Sequence, residues 1–180
     1  MKTPNLHPLL RAFSSWPVAC ACALLLALPA QVHADGRPMS PGQPLPAYQQ
    51  ECGSCHLAYP PGLLPASSWR RIMSSLDTHF GTDASLDAAM TQQIASWLQA
   101  HGGRSGKTAI EAPQDRITRS AWFERKHRRI VPAVWQHASV KSAANCAACH
   151  TGAAQGDFNE DRLRIPPGLD PRHQSAFKDD

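Results

Sequence analysis

Apolar positions in the middle of this chain recur every three and four residues. From Ser67, the series Trp69, Ile72, Met73, Leu76 and Phe80 falls on one side of a helical wheel and predicts an amphipathic helix ended by Gly81. A second helix is expected from Ser85, a good N-cap, with Leu86, Met90, Ile94, Trp97 and Leu98 on one face and a stop at Gly102-Gly103. The polar stretch from Arg104 to Asp115 reads as loop. A third helical segment carries Trp122, Phe123, His127 and Ile130. Pro132 should end or kink it, because proline lacks an amide donor and disfavours helix at Val131. A short turn with Val134 and Trp135 follows. No run alternates with a period of two, so no strand is required. The tail from Asp157, with Pro166-Pro167-Gly168 and Pro171, reads as largely irregular, with Phe158 and Ile165 available for packing. The expected fold class is mostly α, with short helices, long irregular loops and no significant sheet.

The N-terminus has a different character. Lys2 and Arg11 precede an apolar run from Val18 to Ala30, and Val32-His33-Ala34 forms a small-residue end, the pattern of an export signal spanning residues 1–34. Cleavage after Ala34 would leave 146 of the 180 residues, the length of about one domain. The apolar run is shorter than the roughly 20 residues a membrane-spanning helix needs, and no other stretch approaches it, so no integral membrane segment is expected in the mature chain. Cys20 and Cys22 precede most of the Ala-Leu-rich run, which is the wrong end for a lipid anchor. Residues 35–47, with Pro38, Pro41, Pro44 and Pro46, read as an extended leader. Residues 48–180 are then a single domain. Losing Lys2 and Arg11 lowers the net charge from +4 to +2, a balance that calls for no nucleic-acid partner.

The chemistry lies in two pentapeptides. Cys52-Gly53-Ser54-Cys55-His56 and Cys146-Ala147-Ala148-Cys149-His150 account for every cysteine beyond residue 22. Two thiols three positions apart can reach the two vinyl groups of one porphyrin while the adjoining histidine reaches its iron, so each pentapeptide reads as a covalent attachment site for haem c. A thioredoxin-like pair would need a strand-helix-strand setting that is missing here. A zinc shell built from knuckles 94 residues apart would leave both following histidines unexplained. The cofactors expected are therefore two covalently bound haem c groups, held through Cys52, Cys55, Cys146 and Cys149, with His56 and His150 as proximal iron ligands. Export agrees, since covalent haem attachment in bacteria takes place outside the cytoplasmic membrane. Prolines are many and apolar residues modest in number, so two porphyrins would supply much of the core. The chain without them is expected to fold poorly.

The second axial position of each iron separates a carrier from an enzyme. His79 follows Leu76 by three residues and Ile72 by seven, at the edge of the first apolar stripe. His127 follows Phe123 by four and precedes Ile130 by three. A neutral imidazole on an apolar face suits an iron, and these two are the first candidates. His101 also falls on an apolar face, after Trp97 and Leu98, but two glycines place it at a helix C-terminus, where histidine is favourable without any ligand role. His137, beyond Pro132, and His173, in the tail, rank lower. The methionines beyond the signal, Met39, Met73 and Met90, all lie in the first half, so bis-histidine ligation of both irons is the simplest reading. His79 pairs with His56 and His127 with His150 on loop-closure grounds, with crossed ligation left open. The basic cluster from Arg116 to Arg129 is either a solvated face or a place for propionates or an acidic partner.

Taken together, Glu51-Cys52-Gly53-Ser54-Cys55-His56, Ala58-Tyr59-Pro60-Pro61-Gly62-Leu63-Leu64-Pro65, Trp69, Met73, His79-Phe80-Gly81, Trp122-Phe123, His127, Ser142-Ala143-Ala144-Asn145-Cys146 through His150, and Gly156-Asp157-Phe158 resemble the bacterial periplasmic dihaem cytochrome c family, often called DHC. The resemblance runs from about Tyr48 to Pro166. The single domain is expected to divide into a first haem half over about residues 48–103 and a second over about residues 116–166. The resemblance implies a small helical two-haem protein with bis-histidine haems packed close together. It also implies a membrane b-type cytochrome and a small oxygen-binding monohaem cytochrome as partners. His79 and His127 match the family's remaining histidines; His101 and His137 do not. The expected function is periplasmic electron transfer. The alternative is a dihaem enzyme of peroxidase type with one open iron face, which the surplus of histidines disfavours.

Overall fold

The computed structural model describes residues 44–177, and among them the architecture is helical with no sheet. Six α-helices, α1 (Pro46–Gly53), α2 (Ala66–Met73), α3 (Ala88–His101), α4 (Ala121–Lys126), α5 (Pro132–Trp135) and α6 (Pro171–Gln174), are linked by single turns of 3-10 helix and by loops. The three β-bridges are isolated. The export signal and residues 35–43 of the leader lie outside the described residues. No described helix is long and apolar enough to cross a membrane.

Two hydrophobic clusters divide the chain. In the first, Tyr48 of α1, Trp69 and Met73 of α2, and Ile94 and Leu98 of α3 are buried together, with Cys52 packed against them. Ile94 and Leu98 sit one turn apart on α3, so their stripe meets the Trp69–Met73 edge of α2. Trp69 adds a buried hydrogen bond, its Nε1–H donating to the Pro61 carbonyl at 2.6 Å. The end of α3 lies tight against the start of α2. The Gly103 amide donates to the Leu64 carbonyl at 2.8 Å, and a Cβ on Gly102 would stand 2.9 Å from the Ala66 nitrogen. Glycine is needed there for close approach, and it also ends the helix. The second cluster gathers Val134, Val140, Ala148 and Leu169, with Trp135 and Cys149 against them.

Five features differ from the sequence reading. Pro46 and Ala47 open α1 instead of extending the leader, since proline at the first helical position loses no bond and has its φ already set. The first stripe is interrupted after Met73: Ser74 and Ser75 both turn their hydroxyls back onto the Arg71 carbonyl, at 2.8 and 3.0 Å, offering the backbone an alternative to helix. Helix α3 starts two residues later than a Ser85 cap suggested, because Asp87 is the residue that caps it, accepting from the Met90 amide at 2.9 Å. Pro132 begins α5; the preceding helix has already ended at Lys126. The tail, read as irregular, contains α6, opened by Pro171 and capped by Asp170.

Candidate functional site

The first pentapeptide straddles the end of α1. Cys52 and Gly53 are its last residues, while Cys55 and His56 emerge exposed beyond it. His56 is oriented by its own neighbour, its Nδ1–H donating to the Leu57 carbonyl at 2.7 Å, which leaves Nε2 as the free lone pair. His79 arrives from the other side of α2. It does not lie on a helix, as the stripe suggested, but at the exit of the 3-10 turn Leu76–Thr78. A tight reversal follows, with Phe80 at φ 49° and Gly81 at φ 97°, closed by the Thr82 amide on the His79 carbonyl at 3.0 Å. The left-handed Phe80 is held over the chain by the Arg116 guanidinium, 4.4 Å from its ring centroid, and its edge packs on His79 at 4.9 Å. The His56 and His79 rings stand 6.1 Å apart, their planes inclined by 19°.

The second pentapeptide forms a 3-10 turn, Cys146–Ala148, with Cys149 and His150 following it. The tail wraps back over it. The Arg164 amide donates to the Cys149 carbonyl at 2.8 Å, and Phe158 sets its edge against His150 at 5.3 Å. His127 is the C-cap of α4, a helix started by the Ser120 hydroxyl. Its Nδ1–H donates to the Phe123 carbonyl at 2.9 Å, and the buried Phe123 ring stacks on it at 4.0 Å. The His127 and His150 rings also stand 6.1 Å apart, but with planes inclined by 74°.

Each motif histidine thus faces one histidine from elsewhere in the chain, at the same separation. Two imidazoles bonded through nitrogen to one metal at about 2 Å per bond stand with ring centroids about 6 Å apart, the separation found in both pairs. Burial pushes the His79, His127 and His150 imidazoles below their ordinary value, His150 to about 4, so these three are neutral at physiological pH as ligation requires. Burial likewise raises the Cys52 and Cys146 thiols to about 11, and that of Cys149 upward. No three His, Cys, Asp or Glu side chains gather into a metal-binding group among the described residues, so the four cysteines do not form one shell.

A second observation fits a large polar guest. The Trp122 indole nitrogen and His150 Nδ1 are buried without a hydrogen-bond partner, a cost that proteins normally avoid. An acidic substituent of a porphyrin is the kind of acceptor such donors lack.

The rival histidines are engaged locally. His101 Nδ1–H donates to the Trp97 carbonyl at 2.8 Å, the helix-end role expected of it. His137 bonds the Ser139 hydroxyl at 2.7 Å and lies against Gly168. His173 sits in the short helix α6. One residue was given no site role in the sequence reading yet links the first motif to the segment that leads into the second: Tyr59, whose ring lies 5.1 Å from His56 and whose hydroxyl reaches the Ala144 carbonyl at 2.8 Å. Its position three residues after His56 was the sole local signal.

A family model described as "Dihaem cytochrome c" matches residues 48–158. Among solved structures, a crystal structure of DHC from Rhodobacter sphaeroides is 45% identical, covering 64% of this chain and 98% of its own, with a TM-score of 0.56. A diheme cytochrome c from Shewanella baltica is 41% identical, covering 69% of this chain and 94% of its own, with a TM-score of 0.60. No curated protein matches.

Proposed function

The chain belongs to the dihaem cytochrome c family, and from that premise we propose that it is a periplasmic electron carrier with both irons closed by two histidines. Cys52 and Cys55 would hold one haem c and Cys146 and Cys149 the other. His56 with His79, and His127 with His150, would supply the axial nitrogens. The observation that carries this reading is the pair of equal ring separations, each joining a motif histidine to a second one. When bound, haem c supplies one-electron ferric–ferrous chemistry with a potential set by its axial ligands and surroundings.

The remaining work falls to the chain. His56 and His127 each direct one nitrogen at a backbone carbonyl, which fixes the tautomer and the ring direction. Phe123 and Phe158 pack on the ligands of the second site and Phe80 on His79, limiting access of water and small molecules. No acid or base would be required of the chain, because passing a single electron makes and breaks no covalent bond. Two nitrogens per iron favour lower potentials than a histidine–methionine pair would. The resemblance further supports a relay between a membrane b-type cytochrome and a small soluble monohaem cytochrome.

Carbon monoxide tests the reading. Added to the reduced holoprotein, it should leave the Soret band almost unchanged. Stoichiometric binding at one haem would replace the carrier by an enzyme with an open iron.

A further inference from the structure

We propose that Tyr59 is a positioning residue that locks the second attachment motif against the first and so sets how readily an electron passes between the two haems. The proposal rests on the dihaem reading above. The Tyr59 ring lies over the His56 imidazole, with centroids 5.1 Å apart and planes 26° apart. Its hydroxyl donates to the Ala144 carbonyl at 2.8 Å, two residues before Cys146 and 85 positions away in sequence. A single side chain therefore spans from the proximal histidine of one motif to the backbone that presents the first cysteine of the other.

The span is held from behind. The Tyr59 carbonyl accepts from the Tyr48 hydroxyl at 2.7 Å, and Tyr48 is itself buried, with its ring 5.2 Å from Trp97. Pro60 and Pro61 follow directly and stiffen the backbone on that side. Both motifs open onto one groove of about 590 Å³, with Cys55 and His56 on one side, Asn145 and Ala147 on the other, and Tyr59 in its wall. A tyrosine suits this task because its rigid ring fixes one end of the contact while its hydroxyl fixes the other. Tyr59 neither gains nor loses an electron: the one lost by one iron is the one gained by the other.

The test uses the full-length holoprotein and two variants, Tyr59→Phe, which keeps the ring and deletes the hydroxyl, and Tyr59→Leu, which removes both contacts. The rate of electron exchange between haems is measured on half-reduced protein by exchange of the haem methyl resonances. Exchange should slow about fivefold in Tyr59→Phe, the population change expected when one ordinary hydrogen bond is lost, and further in Tyr59→Leu. Both haems should stay low spin. Wild-type exchange in both variants would overturn the proposal, and so would an equal slowing in Ile94→Val, a change in the first core that deletes neither the Tyr59 ring contact nor its hydroxyl bond. Carbon monoxide binding by the wild-type protein would defeat the ligand assignment above, and the comparison of exchange rates would still decide the role of Tyr59.

Discussion

The imidazole of His127 stands 6.1 Å from that of His150 with its plane turned by 74°. His56 and His79 repeat the distance with planes only 19° apart. Near-parallel imidazoles split the iron d orbitals that point between the ligand planes, whereas crossed imidazoles leave them nearly equal in energy. The oxidised holoprotein should therefore show two low-spin electron paramagnetic resonance signals. One should be an ordinary rhombic spectrum, from the first site, and one dominated by a single very large g value, from the second. Two identical rhombic signals would refute the difference in ligand orientation.

Removing either outer histidine should open one iron. His79→Ala and His127→Ala should each convert one of the two haems to a high-spin, carbon monoxide-binding form, while His101→Ala and His137→Ala keep the low-spin spectrum, because the rings that face His56 and His150 are those of His79 and His127. A low-spin spectrum in His79→Ala would move the ligand role elsewhere.

Blocking haem attachment should unfold much of the chain. Most buried apolar residues fall into two small clusters, and residues 102–120 and 136–170 contain no helix longer than a single 3-10 turn. Replacing Cys52, Cys55, Cys146 and Cys149 by serine should sharply reduce helical circular dichroism. Equal helical signal with and without haem would show that the polypeptide core suffices.

Ile94 is fully buried where α3 meets α2. Ile94→Ala should cost about 2–5 kcal/mol by lost burial and the cavity left behind, read from chemical denaturation of the holoprotein. A change below about 0.5 kcal/mol would mean that this contact is not part of the core.

Arg71 grips Asp115 through two nitrogens, at 2.9 and 2.6 Å, and reaches Glu111 at 3.1 Å. These bonds hold the Asp115 carboxyl below its ordinary value of 3.8. A depressed carboxylate stabilises the fold above its unfolded-state value, and the contribution is lost as pH falls through the lower folded-state value. The melting temperature of the wild type should thus fall more steeply than that of Asp115→Asn on acidification below about pH 4. Parallel curves would show that the pair contributes nothing to acid stability.

Much of the site is legible along the chain. The spacing of cysteine and histidine within a pentapeptide is a purely local property, and so is the periodicity that marks Trp69–Met73 and Ile94–Leu98. Boundaries were harder to read. Ser85 and Asp87 are comparable caps in isolation; in the folded chain Asp87 caps α3, and the Ser85 amide donates to the Asp83 carboxylate at 2.9 Å. His79 illustrates the same limit: its periodic position suggested a helix, yet serine back-bonding at Ser74 and Ser75 ends α2 early and a left-handed turn at Phe80 delivers the ring.

Residue type and local spacing thus define the two attachment motifs and the apolar stripes that build α2 and α3, because covalent reach and helical period act over a few positions. Which histidines face each other, the angle between their rings, and the Tyr59 bridge to Ala144 depend on contacts across 23 to 85 positions. Those contacts form only when loops close and clusters bury, and the free energy of that closure is a property of the folded chain as a whole.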